Sequence, residues 1–218
     1  MDKCFITGAD EALQDLIPWW ISNIRRHDKD THIVVADFGM SERWHEWTKR
    51  NVNHVIKYPK HHKHSWFWKP HTLIKAPYEY KCWIDLDCEV LQNITDIFDY
   101  VDGSNMGLTE DPCRRREPDG RDWLATGVNV VKGQPNILKM WVEQSENSWL
   151  RGDQEVLHDI LKEKKYMQDI VVMPMEYQWL RILLAQNKDH PNKKIIHWTG
   201  PIGKQITVSY THLRAHET

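Results

Sequence analysis

The segment Lys81-Cys82-Trp83-Ile84-Asp85-Leu86-Asp87-Cys88-Glu89-Val90 runs an apolar stretch straight into two aspartates one residue apart. Side chains on a strand alternate with period two, so Asp85 and Asp87 point to one side and Leu86 to the other, with Cα atoms about 6.5 Å apart. Two carboxylates at the mouth of a buried sheet are costly unless something positive sits between them. A divalent cation carrying a phosphate-bearing ligand is the natural candidate. His197 follows the apolar pair Ile195-Ile196, and an imidazole at the end of a core strand can complete such a site. Oxygen ligands with one imidazole fit Mn²⁺, with Mg²⁺ as a possible substitute. An ion bridging two phosphates stabilises the charge that builds on a leaving diphosphate.

Other residues could serve the same chemistry. Gly200 and Gly203 allow close backbone approach to a phosphate, and Lys204 supplies a cation nearby. Asp153-Gln154 stands at a helix start, where an Asp is also an ordinary N-cap. Asn129, in Gly127-Val128-Asn129, lies in a strand, where a buried amide bonds backbone or ligand. Trp66 and Trp68 fall in a loop close to the aspartates in sequence and are the best of twelve tryptophans for stacking on a sugar or base. The run His61-His62-Lys63-His64 matches no zinc-ligand spacing and reads as solvated.

These residues need a scaffold that gathers them. Strands are expected at Lys3–Thr7, His32–Ala36, His54–Lys57, Cys82–Asp85, Asn105–Thr109, Gly127–Val131, Asp169–Val172 and Lys194–His197. Helices are expected from Ala12 to about Arg26, with Asp10 as N-cap, from Glu42 to Arg50 behind Ser41, over Lys69–Lys75, from Asn136 to Ser145, and from Gly152 to Lys164. Pro59–Trp68 and the charged stretch Arg114–Asp122 read as loops. Strands alternating with helices indicate an α/β fold with one Rossmann-like, mostly parallel sheet, whose ligands lie beyond the carboxyl ends of the strands. Thr7 to Asp10, Asp37, Asp85-Leu86-Asp87 and His197 all fall at such ends.

At 218 residues with a net charge of -2, the chain fits one domain and carries no basic field to recruit nucleic acid. No apolar run approaches the roughly 20 residues of a membrane span, and no signal-peptide pattern opens the chain. The four cysteines (Cys4, Cys82, Cys88, Cys113) have no paired spacing and read as reduced thiols of a cytoplasmic protein. Residues 208–218 (VSYTHLRAHET) match, in one reading frame, the translation of a transposase-type sequencing adapter. We therefore expect one domain over residues 1–207, a non-native tail at 208–218, and no role for His212 or His216.

Asp85-x-Asp87 after a strand, Thr126-Gly127-Val128-Asn129-Val130, Gly152-Asp153-Gln154 and His197-x-x-Gly200 occur in that order. With Trp68-Lys69-Pro70 and Ile6-Thr7-Gly8-Ala9-Asp10, the chain resembles the retaining glycosyltransferases of the glycogenin and lipopolysaccharide galactosyltransferase type over residues 3–204. That resemblance implies the GT-A, or nucleotide-diphospho-sugar transferase, fold. It implies a UDP-sugar donor and Mn²⁺ or Mg²⁺ held by Asp85, Asp87 and His197, with Asp85 also reaching the ribose. It further implies Lys204 on the diphosphate, Thr7 and Asp10 near the nucleobase, and Lys69 near the phosphates or ribose. Asp153 would bind donor-sugar hydroxyls and Gln154 would face the anomeric carbon. The family's ending His-x-x-Gly-x-x-Lys-Pro-Trp departs here, because Lys204 comes one residue late and Gln205-Ile206 replace Pro-Trp. The acceptor, whether glycan, lipid or protein, carries no readable code.

Two other classes compete. A nucleotidyltransferase making activated sugars wants a basic, Gly-rich loop after the first strand, whereas Thr7-Gly8-Ala9-Asp10 is acidic. A non-catalytic nucleotide- or sugar-binding domain would keep the same acids without turnover.

Overall fold

A computed structural model describes residues 2–59, 64–114, 123–200 and 202–203. Residues 61–63, 115–122, Lys204 and the 208–218 stretch lie outside the described residues. In chain order the elements are β1 (Lys3–Ala9), α1 (Ile17–His27), β2 (His32–Asp37), α2 (Glu42–Asn51), β3 (His54–Lys57), α3 (Lys69–Lys75), β4 (Tyr80–Ile84) and β5 (Cys88–Val90). There follow β6 (Met106–Asp111), β7 (Trp123–Lys132), α4 (Asn136–Glu146), α5 (Asp153–Leu161), β8 (Ile170–Val172), β9 (Trp179–Leu180), α6 (Arg181–Ala185) and β10 (Ile195–His197).

Seven strands form the central sheet in the order β3-β2-β1-β4-β7-β6-β8. The sheet is buried on both faces. Phe5 and Ala9 of β1 join one core with α1, while Cys4 and Ile6 join the other with α4 and α5. This is the period-two alternation of a central strand covered on both sides. Four of its pairings are parallel, as expected, but β7 runs antiparallel to both β4 and β6. The reversal matters for the site. It lays the first half of β7 alongside the carboxyl end of β4, where the Asp85 amide donates to the Gly127 carbonyl at 2.7 Å.

A second, three-stranded sheet, β5-β10-β9, stands beside the first. Here β10 is antiparallel to β5, with His197 directly opposite Cys88. His197 therefore ends a strand of this small sheet and not of the central one. The expected helix from Ala12 is divided: a 3-10 turn covers Gln14–Leu16, and the α-helix proper starts with Pro in its first turn, where a missing N–H costs nothing. Arg25, Arg26 and His27 crowd its last turn, complementing the helix dipole. The helix from Gly152 stops at Leu161, three residues short of the expected end. Asp10 is not the helix N-cap as expected: Leu16 holds that position without a side-chain bond, and Asp10 Oδ1 accepts the Ala12 amide at 3.1 Å in the turn ahead of it. All four cysteines are free thiols. Among the described residues no helix is long and apolar enough to cross a membrane.

Candidate active site

At the carboxyl edge of β1 and β4 opens a cavity of about 440 Å³, whose wall includes Asp10, Trp66, Lys69, Asp85, Asp87, Asp153, Gln154, His197 and Gly200. Nine residues singled out from the sequence thus meet in one place, brought from five separate segments of the chain.

The two carboxylates do not alternate on a strand as expected: β4 ends at Ile84, and residues 85–87 form a turn closed by the Cys88 amide on the Asp85 carbonyl at 2.9 Å. Asp85 leaves β4 with its Oδ1 accepting from Trp83 Nε1 at 2.6 Å and from Lys69 Nζ at 3.0 Å. Its Oδ2 is 3.8 Å from His197 Nε2. Asp87 Oδ1 lies 3.2 Å from the same nitrogen. The pairing of β10 with β5 fixes this approach, and the Trp198 amide donates to the Asp87 carbonyl at 2.9 Å. Burial disfavours the imidazolium, but Asp87 and then Asp85 outweigh it and raise the His197 pKa, with Lys69 opposing.

Lys69 is buried, and its ammonium is fully engaged. It bonds Asp85, Asp153 Oδ2 at 2.9 Å and the Thr126 carbonyl at 3.1 Å. Burial opposes its charge, yet Asp153 and Asp85 together hold its pKa above the ordinary lysine value. Asp153, in the first turn of α5, also accepts from Thr126 Oγ1 at 2.9 Å. Gly152 is the N-cap residue, so Asp153 is spared capping and points into the site. Gln154 Nε2 donates to Asp111 Oδ2 at 2.9 Å.

Other residues singled out from sequence fall elsewhere. Thr7 is fully buried within β1 and does not line the cavity; its neighbours Gly8 and Ala9 do. Distance from the strand end explains this: Thr7 shares a face with Ala9 but lies two residues further into the sheet, where it is covered by the core. Lys69, expected beside phosphates or ribose, does line the cavity, where it bridges two carboxylates. Trp66 lines the cavity, half-exposed, with His64 stacked on it at 4.1 Å. Trp68 does not: it stacks on Tyr58 and donates to the Pro59 carbonyl. Asn129 bonds the Thr126 carbonyl inside the sheet and is absent from the wall.

Sequence reasoning missed Ser65, Asp111 and Gln178 and gave no role to Thr126, which it had only as part of a motif. Ser65 ties its turn to β1 by donating to Asp10 Oδ2 at 3.0 Å. Thr126 and Asp111 carried a signal in hindsight, each being polar and inside or at the end of an apolar strand. Gln178 carried none; it sits between two short elements, yet its side chain reaches His197 Nδ1 at 3.1 Å.

The donor set fits a divalent cation. An octahedral ion about 2.1 Å from each ligand places neighbouring ligand atoms about 3 Å apart. The 3.2 Å between Asp87 Oδ1 and His197 Nε2 matches that, whereas Asp85 Oδ2, 3.8 Å from the same nitrogen, stands outside the set of ligand atoms that lie within 4.8 Å of one another. Asp87, Cys88 and His197 also offer ligand atoms within 4.8 Å of one another. Cys88 is fully buried, however, and burial, then Asp87 and Asp85, push its thiol pKa well up. We assign it to packing.

Solved structures share this architecture. A galactosyltransferase, LgtC, in complex with donor and acceptor sugar analogs, superposes with a TM-score of 0.70 at 20% identity, over 91% of this chain and 87% of that one. The fold is that of the GT-A glycosyltransferases. The glycosyltransferase GlyE of Streptococcus pneumoniae matches with a TM-score of 0.66 at 14% identity, over 96% of this chain and 60% of that one. Mouse xyloside xylosyltransferase 1 matches with a TM-score of 0.57 at 13% identity, over 90% of this chain and 97% of that one. No protein-family model matches the sequence. No curated protein matches it either. The GT-A fold expected from the ordered motifs is therefore found, with the small second sheet as an addition.

Proposed function

We propose that this protein is a metal-dependent glycosyltransferase that moves a sugar from a nucleoside-diphosphate donor, a UDP-sugar, to an acceptor, with retention of anomeric configuration. One observation carries the reading. Asp87 and His197 meet at ligand spacing for an ion, with Asp85 Oδ2 3.8 Å from the same imidazole nitrogen, in a cavity whose wall Asp153 and Gln154 also form. A bound Mn²⁺ or Mg²⁺ would stabilise charge on the leaving diphosphate. The chain does the positioning. Lys69 and Thr126 clamp the Asp153 carboxylate so that it can take donor-sugar hydroxyls. Asp111 engages the Gln154 amide nitrogen, and we assign the Gln154 carbonyl oxygen to the anomeric carbon, where positive charge develops. Trp66 offers an aromatic face at the rim. The donor and acceptor sugars named for LgtC support this class of chemistry. The retaining outcome follows the motif resemblance.

Calorimetry against a nucleotide panel, with and without Mn²⁺, tests it. UDP should bind only with the metal. Asp87→Asn should abolish that binding, whereas Asp159→Asn, on an exposed face of α5 beside Lys162, should leave it intact. Equal loss in both variants, or in neither, would refute the site. Slow Mn²⁺-dependent release of UDP from a UDP-sugar is the expected turnover. Pyrophosphate release from a nucleoside triphosphate and a sugar phosphate would instead reveal a nucleotidyltransferase, and metal-dependent binding without any release a non-catalytic domain.

A further inference from the structure

Gln178 is buried, and both ends of its carboxamide are engaged. Its Oε1 accepts the Val128 amide at 2.7 Å, with Thr109 Oγ1 a longer donor at 3.4 Å. Its Nε2 is 3.1 Å from His197 Nδ1. A backbone N–H can only donate, so the Val128 contact fixes which end of the amide is oxygen. The NH₂ end must then face His197. An amide N–H is a donor, so Nδ1 has to accept. A neutral ring therefore carries its hydrogen on Nε2, aimed at Asp87 Oδ1 3.2 Å away. Gly127 makes the arrangement possible: a Cβ there would lie 2.5 Å from His197 Cε1, 2.6 Å from its Nδ1 and 2.8 Å from Gln178 Nε2.

A metal binds Nε2 through its lone pair, which puts the ring hydrogen on Nδ1. Metal-bound histidines commonly give that hydrogen to a carboxylate or a carbonyl. Here it would meet an amide N–H. We propose that Gln178 is a positioning residue that holds His197 in the tautomer unready for a metal, so that loading the proposed site requires the Gln178 amide to turn over and release Val128. The inference rests on the metal-dependent reading above and deepens it: the chain is built to hold its cation loosely. In Gln178→Glu, a carboxylate accepts from both Val128 N–H and Nδ1–H, and the obstacle disappears.

Two measurements on the full chain test this. In the metal-free wild type, ¹⁵N NMR of labelled histidine should find Nδ1 of His197 unprotonated and Nε2 protonated. Gln178→Glu should reverse the pattern. Mn²⁺ titration followed by water-proton relaxation should show Gln178→Glu binding about tenfold tighter or more, the scale on which such supporting partners act. A protonated Nδ1 in the neutral wild-type ring, or Mn²⁺ affinity in Gln178→Glu equal to or weaker than wild type, would overturn the proposal. The wild-type spectrum decides the tautomer whether or not the variant folds. The expected spectra combined with no Mn²⁺ affinity in either protein, even with UDP, would overturn the inference and the metal-dependent reading together. The expected spectra with equal Mn²⁺ affinity would sink the inference alone.

Discussion

Lys69 joins two acids that lie far apart in the sequence, Asp85 behind β4 and Asp153 at the head of α5, at 3.0 and 2.9 Å. Removing one member of a buried charge network leaves the others uncompensated and costs about 3–5 kcal/mol. We therefore expect Lys69→Met to lose roughly that much stability, read from urea unfolding of the metal-free protein. A loss under about 1 kcal/mol, the scale of an exposed pair, would mean that the two carboxylates do not depend on it. At this scale the sequence showed which acids gather at the cavity better than it showed what holds them. Asp85, Asp87, Asp153, Gln154 and His197 were visible because their types and order are unusual beside apolar runs. The partners were not visible. Lys69 was singled out for phosphates or ribose, but nothing in the sequence pairs it with Asp85 and Asp153, and Gln178 belongs to no pattern because its contacts lie 19 and 50 residues away in the chain. Trp66 and Trp68 looked equivalent, and only the turn Ser65–Trp68 sends one to the cavity and the other onto Tyr58.

Between α1 and β2, Asp28 ties the crossover that sets the sheet's left half. Its Oδ1 accepts the amides of Asp30 at 2.9 Å and Thr31 at 3.0 Å. Burial alone would raise its pKa, but the Thr31 and Asp30 bonds, with Arg25, hold it below the ordinary value. A carboxylate with a depressed folded pKa contributes stability above its unfolded pKa, about 3.9, and loses it as pH falls through the folded one. Asp28→Ala should thus cost about 1 kcal/mol at neutral pH. The deficit should shrink as thermal scans move from pH 5 toward pH 2, and a deficit constant across that range would contradict the linkage. Elements that carry their own pattern were readable. Residues His54–Lys57 and Lys69–Lys75 form the expected strand and helix to the residue. What was unreadable were the three-residue β5 and the two-residue β9, too short to show any period, and the reversal of β7, which depends on partners and not on its own residues.

For the molecule as a whole, a ligand that binds only the folded state stabilises it by RT ln(1 + [L]/Kd), about 2.7 kcal/mol at a hundredfold excess over Kd. A chain of this size then gains roughly 5–10 °C in Tm. UDP with Mn²⁺ together should produce such a shift, while UDP alone should give almost none. Equal shifts for UDP with and without metal, followed by differential scanning fluorimetry, would argue against a site where the cation carries the diphosphate. The α/β class and the edge where the polar residues gather followed from the alternation of strands and helices. The second sheet did not, since it joins β5 to a segment about a hundred residues further on. That long tether has a consequence for a chain emerging from the ribosome. The acid couple appears well before the imidazole that faces it, and Asp153 comes later still than Lys69. Through that interval Lys69, made sixteen residues ahead of Asp85, is already present as a counter-charge. For Asp85 and Asp153 the growing polypeptide thus carries its own ammonium ahead of both acids, while Asp87 waits for the imidazole made last.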